Sequence, residues 1–308
     1  MPLTTNKELL TMARKGGYAV GAFNINNLEI LQAILSAAEG ERSPAIIAVS
    51  EGAIQYAGMP YLISMVQTAA VQTSIPIALH LDHGKDLEVI RACIESGFTS
   101  VMIDGSEFEF EKNIDVTKKV VEMAKGKRVS VEAELGRLKG IEEKVSVSEK
   151  EAILTDPQAA EDFVKRTEVD ALAIAIGTSH GAYKFKGEAR LDFERLKEIV
   201  RRVSIPLVLH GASGVPSSVL ERAERFGAKL PGAKGIPDEA IQKAIGLGIS
   251  KINIDTDLRL SFVGALREVF ATKPDEFDPR KILGPGRDAI KQTVQSKMKL
   301  FGSSGKAA

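Results

Sequence analysis

The stretch "IALHLDHGKDLEVIRACIESGFTSVMIDGS" (77–106) carries the pattern that decides the fold. It opens on a short run, "IALHLDH" (77–83), apolar at most positions and polar toward its end. A helical pattern, "LEVIRACIES", follows, and a second short run, "SVMIDGS" (100–106), completes the unit. Runs with so few polar positions suit strands buried on both faces, as in a parallel sheet whose crossovers are helices. Before this unit lie "VGAFNIN" (20–26) and "AIIAVSE" (45–51). After it come "VSVEAEL" (129–135), "ALAIAIG" (171–177), "LVLHGAS" (207–213) and "KINIDTD" (251–257). Helical patterns such as "LEILQAILSAAEG", "VTKKVVEMAK" and "FERLKEIVRRV" separate them.

Eight strand–helix repeats predict an α/β protein, a single (β/α)8 barrel spanning 1–302. A doubly wound open sheet is the competing arrangement. It lacks support, because no GxGxxG follows the first strand and polar residues end nearly every strand instead of gathering at one switch point. Residues 258–301 read as extra C-terminal helices, "LSFVGALREVFA" and "RDAIKQTVQSKMKLF", interrupted by "TKPDEFDPRKILGPG". The tail 303–308 reads as disordered. Two connections exceed the usual length, 136–157 and 224–238. Each is open to two readings, a lid or interaction element and a tolerated insertion.

Lys+Arg and Asp+Glu are equal at 41 each, which gives no bulk attraction to nucleic acid or membrane. Cys93 is the lone cysteine, so no intrachain disulfide can form and a reducing compartment fits. A buried small hydrophobe is the favoured reading of it, ahead of a nucleophile. The opening "MPLTTNKELLTMARKGG" has no signal-peptide pattern, and no run reaches the roughly 20 apolar residues of a membrane span. A cytoplasmic protein is expected.

All four histidines sit in or just after predicted strands. The C-terminal ends of barrel strands converge on one mouth, where His83, His180 and His210 would meet. Three imidazoles with a fourth position open describe a catalytic zinc site. His80, on the pleat face of Asp82, would lie a layer below, packing or supporting the ligands. Asp82, Asp104, Glu132, Glu134, Asp255 and Asp257 gather at the same strand ends. Each could be a hydrogen-bonded strand cap, a reading that strains to cover all of them. Acids within strands are costly unless paired, protonated or near a cation, and a divalent ion would compensate them. "HGAYK" (180–184), "HGASG" (210–214) and "NIDTD" add small residues, Lys184, Asn253 and Thr256 after the last three strands, where barrels commonly bind phosphate.

In this order, "LHLDHG", "GTSHGAYK", "LHGASG" and "KINIDTDLR" resemble the class II, zinc-dependent fructose-bisphosphate aldolases. The resemblance runs from residue 3 to about 302 and includes "GAFNINN", "MIDGSEFEFEKNI" and "EAELGRLKGIEE". It implies that His83, His180 and His210 bind the catalytic Zn2+, and that Asp82 handles the C4 hydroxyl proton. Glu143 would move the carbon-bound proton of dihydroxyacetone phosphate; "GIEEKV" also offers Glu142, and the motif alignment favours Glu143. Asp104 and Glu134 match positions for an alternative or second divalent metal. Gly181, Lys184, Gly211, Ala212, Ser213, Asn253, Asp255 and Thr256 match the site of the dihydroxyacetone phosphate half. Asn24, Ser50 and Arg280 match positions that contact the rest of the bisphosphate. A monovalent cation, Na+ or K+, beside that phosphate is also implied, as is a homo-oligomer, a dimer or, favoured, a tetramer.

Breaking a C–C bond beside a carbonyl needs a sink for an electron pair, and zinc supplies one as a Lewis acid. The imine route of a class I enzyme needs a lysine. Strand six has none, and Lys251 reads as opening strand eight at the wrong end. The nearest sister activities act on tagatose or other ketose bisphosphates; "NIDTD", where those sisters tend to carry "NVATE", and the insert "FGAKLPGAKGIP" favour fructose. A non-catalytic barrel subunit is the reading from another class, and the intact set Asp82, His83, His180 and His210 argues against it.

Overall fold

The computed structural model describes residues 3–137, 153–179, 191–230 and 234–307, and the backbone alone of 139–142, 145–147 and 180. Eight parallel strands close a barrel: β1 (Val20–Asn24), β2 (Ala45–Ser50), β3 (Ile77–Gly84), β4 (Ser100–Ile103), β5 (Ser130–Leu135), β8 (Ala171–Ile174), β10 (Leu207–Leu209) and β11 (Ile249–Ile254). They follow one another in chain order around the ring, and β1 pairs with β11 to close it. All eight sequence-predicted strands are present. Most stop short of their expected C-terminal ends because the polar residues there leave the ladder: Ser50 caps helix α3 (Glu51–Ala57), and Asp255 precedes α11 (Thr256–Thr272).

The two faces of the strands feed separate cores. Residues such as Phe23, Ile47, Leu79, Val101, Val131, Leu172 and Ile252 pack outward against the helices. Their neighbours Val20, Ala22, Ile46, Ala48, Ala78, Met102, Ala171, Ala173 and Val208 form an inner cluster. That cluster also takes in Leu9, Leu10 and Ala13 of α1 (Asn6–Gly16), so α1 plugs the N-terminal end of the barrel. The inner face is filled by alanine where other strands send long polar side chains inward. Period-two alternation therefore persists beneath sequences that read as continuously apolar.

The connection after β5 is more than a loop. It contains an antiparallel hairpin, β6 (Lys139–Glu142) with β7 (Val145–Val147), and β6 also pairs in parallel with β9 (Ser179–His180). These three strands follow the C-terminal ends of β5 and β8 and so stand on the mouth side.

Two expectations need correction. The C-terminal helix α12 (Pro279–Leu300) starts inside the stretch read as an interruption and carries Pro285 within it. Asp278 caps its first turn and Pro279 occupies N1, where a missing N–H costs nothing. The tail is also not disordered over 303–307. Ser303 is buried and its hydroxyl meets that of Ser43 at 2.8 Å, while the N–H groups of Gly305 and Ala307 donate to the carbonyls of Glu41 and Arg42. Backbone hydrogen bonds and burial fix a polar segment that composition alone marks as mobile. Among the described residues no helix is long and apolar enough to cross a membrane.

Candidate active site

The site begins with an irregularity in β3. In a regular strand Asp82 and His83 would face opposite sides of the sheet. The register between β3 and β4 shifts between Leu81 and Gly84, and His83 adopts a left-handed backbone with φ 49°. Bulges re-aim side chains, and a left-handed histidine is one of the few non-glycine residues that tolerates this. Both adjacent side chains thereby reach the mouth, where Asp82, His83 and His210 bring ligand atoms within 4.8 Å of one another. The rings of His83 and His210 meet edge to face with centroids 4.5 Å apart.

A second acid group adjoins the first. Asp104 Oδ2 lies 3.0 Å from His83 Nδ1, and Glu134 Oε2 lies 3.8 Å from the same nitrogen. His83, Asp104 and Glu134 form a second set of ligand atoms within 4.8 Å. Burial alone would push the Asp104 carboxyl up. The His83 hydrogen bond and charge, the Ser106 hydroxyl and Lys85 outweigh it and hold the group well below the usual carboxylate range. This concentration of acids around two imidazoles is the donor set that a divalent cation requires, so the residues present fit the metal implied by the sequence.

Asp82 is buried, and amide donors from two strands fix its carboxylate. Asn253 Nδ2 donates to Oδ1 at 2.7 Å and Asn24 Nδ2 donates to Oδ2 at 2.9 Å. Burial would raise its pKa, but the charges of His83, His210 and Lys251 and the Asn24 hydrogen bond together lower it. The Asp82 carboxylate is therefore oriented and favoured in its ionised form. Asn24 and Asn253, matched by resemblance to substrate contacts, have this orienting task as well.

The loop after β10 is held by backbone approach. Gly211 has φ 61°, and a Cβ on it would come within 2.7 Å of the Ser179 backbone. Only glycine allows the strand end carrying His210 to lie directly against the segment that leads into His180. Ala212 and Ser213 are buried in the same loop. Asp255 and Thr256 stand at the start of α11.

A cleft of about 280 Å³ opens beside these residues, lined by Asn24, Ser50, Asp255, Tyr56 and Arg259 among others. Arg259, which the sequence reading did not single out, pairs with Asp255 at 2.7 Å. The i,i+4 spacing of acid and arginine at a helix start was the available signal. The described contacts do not bring Arg280 to this mouth. It sits at the first turn of α12, its side chain is 89% exposed, and its guanidinium pairs with Asp278. Glu143, Gly181, Lys184 and the side chain of His180 lie outside the described residues.

Below the mouth, Lys251 corrects its sequence reading. It does not open β11 but is its third residue, fully buried on the inner face and ion-paired with Glu132 at 2.8 Å. Gly248, at φ 123°, lets the strand begin two residues earlier than its β-branched pattern suggests. His80 lies at the same level, 3.2 Å from Lys251 Nζ, as a supporting residue. Burial, and then the Lys251 charge, push His80 well below the usual imidazole range, so it is neutral. Cys93 is buried and burial pushes its thiol up to about 12, which makes it inert.

Known proteins are similar to this chain over nearly its whole length. Residues 4–306 match the family described as fructose-bisphosphate aldolase class-II. A fructose-bisphosphate aldolase of Thermus caldophilus is 54% identical over 99% of this chain and 100% of its own. One from Helicobacter pylori is 51% identical, covering 99% of both. The crystal structure of the YdjI aldolase from Escherichia coli K12 superposes with a TM-score of 0.80 at 34% identity, over 99% of this chain and 100% of that one. The chain therefore belongs to the class II fructose-bisphosphate aldolase family.

Proposed function

We propose that the protein reversibly cleaves fructose 1,6-bisphosphate to dihydroxyacetone phosphate and glyceraldehyde 3-phosphate, as a metal-dependent aldehyde-lyase. The observation that carries this reading is the oriented, ionised Asp82 beside His83 and His210 in one acid-rich mouth. In the cleavage direction Asp82 takes the C4 hydroxyl proton while the C3–C4 bonding pair moves toward the carbonyl side. His83, His210 and His180 would hold a divalent ion, which we assign as Zn2+ and which would supply Lewis acidity to the carbonyl and hydroxyl oxygens. Asp104 and Glu134 would hold it, or a second divalent ion, in an alternative position. Glu143 returns a proton to the carbon of dihydroxyacetone phosphate.

Gly211, Ala212, Ser213, Asn253, Asp255 and Thr256, with Gly181 and Lys184, would hold the dihydroxyacetone phosphate half, with Na+ or K+ beside its phosphate. Asn24 and Ser50 would meet the remainder. We also propose a homo-oligomer, a tetramer in preference to a dimer. Phe270, in the last turn of α11, and Phe277, on the segment joining α11 to α12 just before Arg280, are 56% and 88% exposed. Apolar exposure of this kind suits contact with another copy. It would reconcile Arg280's match to a substrate position with its distance from the mouth of its own chain. The buried lone thiol of Cys93 fits a cytoplasmic enzyme.

The test is metal content measured with aldol cleavage, before and after chelation. Activity that survives complete metal removal would overturn the proposed mechanism. Tagatose 1,6-bisphosphate, which differs only at C4, is the comparison substrate, and a faster rate on it would overturn the choice of fructose.

A further inference from the structure

Four side chains that the reaction does not touch form one connected network beneath the mouth. Lys251 Nζ lies 2.9 and 2.8 Å from the two oxygens of Glu132 and 3.2 Å from His80 Nε2. His80 Nδ1 lies 2.8 Å from Ser100 Oγ. Glu132 Oε1 also lies 2.9 Å from His210 Nε2. Lys251, Glu132, His80 and Ser100 are all buried.

One assignment of protons satisfies every contact. An ammonium has three N–H donors, and the three acceptor atoms that Glu132 and His80 turn to Lys251 use all of them. His80 Nε2 then accepts, so its proton is on Nδ1 and is donated to Ser100. Glu132, with both oxygens accepting, takes the remaining donor from His210 Nε2–H. That leaves Nδ1 as the ring nitrogen of His210 with a lone pair to offer. Lys251 supplies the counter-charge that a carboxylate at this depth needs, and His80 fixes the ammonium between strands β3 and β11.

We propose that Glu132, held by Lys251, is the positioning residue that presents His210 to the metal through Nδ1. The inference rests on the proposed reading of His210 as a ligand, and it gives a buried lysine in an aldolase barrel a role other than imine formation. A carboxylate behind a ligating imidazole fixes both tautomer and ring orientation, and its loss typically costs about 10–100-fold in metal affinity.

The first readout needs no metal. In 15N-histidine NMR of the metal-free protein, at a pH where the His210 ring carries a single proton, that proton should be on Nε2; a single proton on Nδ1 overturns the proposal. In Glu132→Gln, Lys251 claims the amide oxygen and turns the NH2 toward His210. The His210 proton should then move to Nδ1, and Zn2+ affinity measured by chelator competition should fall about 10–100-fold. An unchanged tautomer overturns the proposal. The paired variant Glu132→Leu with Lys251→Met removes both charges together and guards against a single variant that fails to fold. It should melt near the parent temperature yet still bind Zn2+ at least tenfold more weakly; parent-like affinity would show that the pair only fills the barrel. A parent protein that binds no Zn2+ would instead sink the metal reading, and the NMR result is separate from it.

Discussion

The carboxylate of Asp257 accepts the backbone N–H of Val215 at 2.8 Å, and Val215 is held at φ 46°. A β-branched residue in the left-handed region is strained and persists only where its surroundings over-determine it. Asp257 also accepts the N–H of Gly214 and is ion-paired with Lys297 at 3.1 Å, with both charged side chains buried. The loop that follows His210 is therefore pulled into shape from the far side by α11 and α12.

Replacing Asp257 by Ala should destabilise the fold by about 3 kcal/mol, because it leaves Lys297 buried without its counter-charge. Denaturant unfolding checks this. Adding Lys297→Met should recover most of the stability, whereas KM for the sugar bisphosphate should stay raised because the loop remains unanchored. Recovery of both together would mean that Asp257 serves only the ion pair.

Asp82→Asn should lower kcat by about 10²–10⁴-fold, the usual contribution of a positioned acid–base group, with the fold intact. Asn253→Ala removes one of the two donors that orient Asp82 and should cost less, with kcat falling more than KM rises. Steady-state kinetics on both variants decide the point; an Asp82→Asn enzyme with near-parent kcat would move the proton transfer elsewhere.

Metal removal should lower stability as well as activity. An ion held by these imidazoles and their acid neighbours binds the folded chain and not the unfolded one, so its removal withdraws that binding free energy from the fold. At free Zn2+ about a thousandfold above Kd, the loaded protein should be more stable by about 4 kcal/mol. Thermal melts with and without chelator measure it, and coincident curves would refute a cation bound at the mouth.

Much of this was legible from the chain, and for identifiable reasons. Strand positions and the inward set Asp82, Glu132, Glu134 and Asn253 follow from period-two alternation at strand ends. The left-handed turn at His83 was not legible, since it depends on how β3 pairs with β4. Lys251 misled because Gly248–Ser250 carries little strand signal before it. Pro285 read as a break, but tertiary packing of α12 against α2 (Leu28–Glu41) and α11 overrides the local preference. Arg280 matched a motif, yet motif order says nothing about how far a residue lies from the mouth.

The plug helix α1 gives a pH prediction. Thr5 and Glu8 form a reciprocal capping box at its start. Hydrogen bonds from the Thr4 hydroxyl and the Thr5 N–H lower Glu8 to about 2 against the small opposing effect of burial. A depressed carboxyl contributes stability that is complete above its unfolded pKa, near 4.5, and is lost as pH falls toward 2. Glu8→Gln should therefore be less stable by about 1 kcal/mol at pH 7 and indistinguishable from the parent near pH 2. Stability curves against pH for the two proteins test it, and a gap that widens on acidification would reverse the sign.

The docked tail has a consequence for how the chain reaches its native state. Ser303, Gly305 and Ala307 grip the turn between α2 and β2, and the Phe301 carbonyl accepts the N–H of Ala19 just ahead of β1, the strand that closes the barrel on β11. The first strand must therefore wait for the last before its edge is covered, and a partly synthesised chain exposes two unpaired edges that can pair with other molecules. A latch that joins the end of the chain to the approaches of β1 and β2 works as a final fastening. It is made only when the whole barrel has emerged, and it resists opening from the end opposite the mouth, where substrate binding gives no help.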